Sequence, residues 1–250
     1  MKRILFLLVF VFVFAGCGDV EERLPVTTEE VTVITAPTTT SVAEPPAFSP
    51  IAKEQFLMPI EEYSWEREFS PEYVMLHFTS AVVVSRDDPY NMETVRKIFE
   101  DGGISIHYVI DRDGGVYCYM PETRAAWHAG KGTFASDERL TNAMNKYSIG
   151  IEMLAIGSVG DMAQYLTKDE YEALDESLIG FTDAQYESLS SLVYDICERN
   201  AITFDREHVI GHEEYNSQKR DPGELFDWER LFGKSTEPEK TVCVAESLDE

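Results

Sequence analysis

Between residues 74 and 232, short apolar runs of strand length alternate with amphipathic stretches of helical length. This interleaving restricts the fold to the α/β or α+β class, with a central mixed β-sheet flanked by helices. "EYVMLHFT" has strand character and is expected to end as a strand at His77. "NMETVRKIFEDGG" sets Met92, Val95, Ile98 and Phe99 on one side and closes on glycines, so it predicts a helix. "ISIHYVIDRDGGVYCYM" predicts a hairpin, two apolar strands around an Asp-Gly turn. "YSIGIEML" and "EHVIGH" are further strands, and "DWERLF" a last short helix. "FTDAQYESLSSLVYDICERN" predicts a longer helix, with Thr182 as N-cap and Gln185 three residues on as its capping-box partner.

The two ends of the chain differ in composition from this middle part. Lys2 and Arg3 precede an apolar run over residues 4–15, shorter than the roughly 20 residues that span a bilayer but right for the core of a secretory signal. The run ends in "FAGC", which resembles the lipobox of bacterial lipoproteins and implies lipidation at Cys17; Phe14 stands where leucine is usual. Residues 1–17 are therefore expected to be a lipoprotein signal, and 18–50, rich in Thr, Pro and Glu, a disordered tether. Residues 51–234 form the expected domain and 235–250 an acidic disordered tail. The implied location is exported, on a membrane through acyl chains, facing the cell wall or periplasm.

A net charge of -25 speaks against a nucleic-acid partner, which needs a basic stripe. Cys118, Cys197 and Cys243 lack paired CxxC spacing, so no cysteine-rich zinc site is indicated.

His77 and His212 each end an apolar extended run, where a side chain emerges at the rim of a sheet, and Asp221 follows His212 after a loop. Two imidazoles and a carboxylate are a usual ligand set for catalytic zinc, with a fourth position left for water. Histidines at strand ends also serve purely structural roles, so spacing alone leaves both readings open. His107, within a strand, reads as structural, and His208 as exposed. Arg124 suits bidentate recognition of a peptide carboxylate.

Five blocks in order, "LHFTSA", "SIHYVIDRDGGVYCYMPETRAAWHAGKG", "NKYSIGIEML", "FTDAQYESL" and "VIGHEEYNSQKRDPGELFDW", resemble the zinc-dependent N-acetylmuramoyl-L-alanine amidases, the family of muropeptide-recycling amidases, phage lysozyme-like amidases and peptidoglycan recognition proteins. The resemblance covers residues 74–232. It implies His77, His212 and Asp221 as zinc ligands, Glu152 as general base and Lys219 beside the reacting carbonyl. It also implies Trp127 and His128 as lining a substrate groove, where a core tryptophan with a satisfied histidine is the rival reading. "EYNSQ" replaces the Pro-Gly-Arg run that precedes the lysine in the recycling branch.

The implied reaction is hydrolysis of the amide between N-acetylmuramic acid and L-alanine in peptidoglycan or muropeptides. A non-catalytic peptidoglycan-binding or regulatory module is the alternative. The residue types fit the chemistry: a carboxylate can move a proton from water to a leaving nitrogen, and a fixed cation can stabilise a forming oxyanion.

Overall fold

Each apolar run closes into a strand or helix bounded by its own capping groups. The computed structural model describes residues 47–55, 58–134 and 137–232, all within the unit Ala43–Glu250. The expected signal with Cys17, most of the expected tether, the acidic tail and Cys243 lie outside the described residues. In chain order the elements are β1 (Glu54–Gln55), β2 (Ser64–Glu66), β3 (Tyr73–Thr79), α1 (Met92–Gly102), β4 (Tyr108–Ile110), β5 (Val116–Cys118) and β6 (Arg124–Ala126). There follow β7 (Ser148–Leu154), α2 (Val159–Met162), α3 (Lys168–Glu172), α4 (Asp183–Asn200), β8 (Val209–Gly211), α5 (His212–Tyr215) and α6 (Trp228–Phe232).

Six strands form one mixed sheet in the order β1-β5-β4-β7-β3-β8, and β2 and β6 form a separate antiparallel ribbon. Strands β4, β7, β3 and β8 run parallel, while the β4–β5 hairpin supplies the antiparallel pair. β3 continues two residues past His77, because Phe78 and Thr79 still pair with Met153 and Leu154.

Side chains alternate across the sheet, so each strand feeds two layers. Val74 and Leu76 of β3, with Ile149, Ile151 and Met153 of β7, pack against Leu189, Leu192, Val193 and Ile196 of α4. The intervening positions face the opposite layer, where Val95 and Phe99 of α1 pack with Val109 and Ile106, and Met75 with Leu140 and Met144. β7 is buried along its whole length, as a strand covered on both faces is, although Ser148, Gly150 and Glu152 interrupt its apolar residues.

α4 starts as the sequence predicts, with the Thr182 hydroxyl accepting from the Gln185 amide and the Gln185 side chain reaching back to the Thr182 amide. α1 opens on Asn91, whose side chain accepts from the Thr94 amide, and closes on Gly103 at φ 61°, a left-handed position that suits glycine. Residues 47–49, assigned from the sequence to the tether, are tied to the domain. The Ser49 amide donates to Tyr108 Oη at 2.7 Å, and the Glu122 amide to the Ala47 carbonyl at 2.7 Å. Cys118 and Cys197 are each buried in the core.

Candidate active site

The register of three parallel strands decides which side chains meet. His77 on β3 pairs with Glu152 on β7, and Leu76 with Gly211 on β8, so His212 is the next position along that strand line. Paired positions in a parallel sheet point to the same face, which sets Glu152, His77 and His212 in one row across the sheet. The row lies toward the carboxyl ends of the strands, where α/β sheets carry their ligand sites.

The loop after α5 brings Asp221 onto this row. The Asp221 carbonyl accepts from the Glu213 amide at 3.1 Å, and the Lys219 amide donates to the Asn216 carbonyl at 2.8 Å. Gly223 lies at φ 81° with no room for a Cβ, which would come within 2.6 Å of Asp161 Oδ2. That carboxylate accepts from the Ser158 amide at 2.9 Å and the Glu224 amide at 3.2 Å, pinning the loop to the start of α2. Asp221 Oδ2 then stands 2.7 Å from His77 Nδ1 and 2.9 Å from His212 Nδ1.

A chain of hydrogen bonds fixes the tautomers of these rings. The Met144 carbonyl can only accept, so Ser148 Oγ donates to it at 2.8 Å and accepts in turn from His128 Nε2 at 3.2 Å. His128 Nδ1 is left as an acceptor, which makes His77 Nε2 the donor across 3.0 Å. The proton of His77 therefore sits on Nε2, and its Nδ1 lone pair faces Asp221. Burial, and then the neighbouring His212, push the His77 imidazole down to about 4, so the ring is neutral at ordinary pH. His128 is pushed well below the usual histidine range by burial first and His77 next. His212 Nε2 donates to the Ala129 carbonyl at 3.0 Å, so in the neutral ring Nδ1 carries the lone pair.

Both Nδ1 atoms and the carboxylate thus converge, and the three donor atoms lie within 4.8 Å of one another. Such a set fits a cation. Each imidazole is oriented through its other nitrogen, as in metal-binding histidines.

Glu152 is buried beside this group, and its Oε2 has no hydrogen-bond partner among the described residues. Burial, then the charge of Asp221, raise its carboxyl well above the ordinary range, with Lys219 partly opposing. Glu152, Lys219 and the three donors line one cavity of about 690 Å³, together with Trp127 and His128.

The other sequence expectations divide. His128 lines the cavity, but both of its ring nitrogens are engaged, with His77 and Ser148. Trp127 packs on Trp65 and Tyr63 at ring-centroid distances of 5.5 and 6.4 Å. The structure does not bring Arg124 to the cavity. As the first residue of β6 it turns its guanidinium to Ser64 Oγ at 3.0 Å and Glu61 at 3.1 Å, away from any incoming peptide. His107 is structural, as expected: its Nδ1 accepts from the Gly150 amide at 2.9 Å and its Nε2 donates to the Arg124 carbonyl at 3.0 Å. His208 binds Asp205 at the surface.

Sequence reasoning passed over Ser148 and Asn145. Asn145 Oδ1 accepts from the amides of His128 and Ala129 at 3.1 and 2.7 Å, so it sets the segment that carries His128 and receives His212. Neither residue type announces such a role in sequence.

A mixed sheet flanked by helices, with a His-His-Asp group at the carboxyl ends of its parallel strands, defines an α/β protein with a candidate metal centre. The chain belongs to the N-acetylmuramoyl-L-alanine amidase family, whose model matches residues 67–224. It is similar to the 1,6-anhydro-N-acetylmuramyl-L-alanine amidase AmpD of Haemophilus influenzae, 30% identical over 130 residues that cover 52% of this chain and 57% of that one. The N-acetylmuramoyl-L-alanine amidase AmiD of Escherichia coli is 31% identical over 139 residues, 52% of this chain and 44% of that one. The chain thus spans about half the length of the curated relatives it matches. Its fold is that of a crystal structure of a selenomethionine AmpD derivative, with a TM-score of 0.52, 22% identity, and coverage of 75% of this chain and 96% of that one.

Proposed function

We propose that this protein is a zinc-dependent amidase that hydrolyses the bond between N-acetylmuramic acid and L-alanine in peptidoglycan or its fragments. The observation that carries the reading is the convergence of the His77 and His212 lone pairs on the Asp221 carboxylate, beside a buried glutamate that has no partner. His77, His212 and Asp221 would hold the ion. Zinc, when bound, supplies Lewis-acid polarisation of the scissile carbonyl and acidification of water.

The chain's own residues supply the rest. Glu152 Oε2 receives the proton of the attacking water and delivers it to the departing alanine nitrogen. A carboxyl raised by burial suits this shuttle, because it takes up a proton more readily than a solvated carboxylate does. Lys219 presents a cation to the carbonyl oxygen as negative charge develops there. The Ser148–His128 chain and the Ala129 carbonyl orient the two imidazoles so that each turns Nδ1 toward Asp221.

The test is direct. Metal-free protein should release no stem peptide from muropeptides, and added zinc should restore release; turnover that survives complete removal of metal sinks the mechanism. We further propose that Cys17 carries a lipid anchor on the outer side of a membrane. Cys17→Ala should then move the protein from the membrane fraction to the soluble one, and an unchanged distribution would refute the anchor.

A further inference from the structure

The cavity carries charges of both signs. Its acids are Glu152, Asp161 and Asp221, all on or beside the candidate centre, and its cations Lys219 and Arg220 form one edge. The lining from Ala81 to Val84 and at Ile98, Phe99 and Ile104 is uncharged.

Arg220 is unlike the rest of its kind. Every other arginine among the described residues donates to a carboxylate or a backbone carbonyl. Arg220 has no such partner there, although acids outnumber bases 46 to 21 in the chain. Its backbone is nonetheless fixed on both sides, by the Lys219 amide on the Asn216 carbonyl at 2.8 Å and the Asp221 carbonyl on the Glu213 amide at 3.1 Å. Arg220 is exposed and lines the cavity, and with no internal acid its guanidinium is free to take a carboxylate brought by a ligand.

The bond to be cut decides which side of the substrate brings it. The lactyl carboxyl of muramic acid is consumed in the amide, so every remaining carboxylate lies on the peptide side. We propose that Arg220 is a specificity-determining residue that binds a stem-peptide carboxylate close to the scissile amide, so that the peptide runs over residues 219–220 and the sugar lies away from them. The role expected of Arg124 falls to Arg220 instead. This inference rests on the amidase reading given above, and its test separates the two.

Full-length, zinc-loaded protein is given N-acetylmuramoyl-L-alanyl-D-glutamate and its diamide, in which both carboxylates are carboxamides. Wild type should prefer the acid by about 10- to 100-fold in kcat/KM, the usual worth of a charge-assisted bidentate contact. In Arg220→Gln that ratio should fall to within about threefold of unity, and Arg220→Lys should restore part of it, since lysine gives charge without the fork. A ratio near one in wild type, or one unaltered in Arg220→Gln, overturns the proposal. The same ratio is measured by calorimetry with L-alanyl-D-glutamate and its diamide as ligands. If neither muramoyl dipeptide is hydrolysed, the amidase reading falls, and the calorimetric ratio alone decides the carboxylate site.

Discussion

Glu152 is held where a carboxylate is least comfortable: buried, near Asp221, with Oε2 unpartnered among the described residues. Its folded pKa is raised, so above the ordinary carboxyl pKa of ~4.3 the native metal-free protein keeps a proton that the unfolded chain has lost. Stability then falls as pH rises through that window, because the native state binds the extra proton. Glu152→Gln should flatten this dependence and stabilise the metal-free protein at neutral pH, read by thermal unfolding between pH 4 and 8. It should also cut turnover by about 10²–10⁴-fold with zinc retained, whereas a mere binding module would lose little. Ser148→Ala should weaken zinc affinity by about 10- to 100-fold in chelator competition, since it removes the anchor of the His77 tautomer. An unchanged affinity would show that His77 needs no such anchor. His77, His212 and Asp221 were legible as a candidate ligand set by residue type, and it was the family resemblance that favoured this over a structural reading. Ser148 and Asn145 were not, because a small polar residue in a buried strand or turn acquires meaning only from what folds against it.

Helix α4 shows the same contrast among secondary-structure elements. Its cap, period and length stand in the sequence, and the buried stripe of Leu189, Leu192, Val193 and Ile196 covers the side of the sheet away from the site. Leu189→Ala should cost about 2–5 kcal/mol in denaturant unfolding, the range for a fully buried leucine whose surroundings cannot collapse. A loss under about 1 kcal/mol would mean the packing here is loose. Strands β1, β2 and β6 escaped the sequence reading for a plain reason: two or three residues give no period to detect. The strand at residues 73–79 was legible as an element but not in its neighbours. The order β7-β3-β8 comes from long-range pairing, and no local signal states that residue 77 stands opposite residue 152.

Across the whole molecule, any ion bound among the three donors ties β3 to the end of β8 and to the loop after α5, and ligand binding to the native state adds stability by mass action. At a free zinc concentration of about 1,000 times Kd the gain is about 4 kcal/mol. Chelation should therefore lower Tm by on the order of 10 °C, and zinc should restore it. An unchanged Tm would mean that the native state holds no tightly bound ion. His77 and Asp221 are separated by 144 positions along the chain. During synthesis the first imidazole of the trio is therefore made well before the other two donors. An ion shared by all three could be captured only once residue 221 has been made and β3 and β8 have paired.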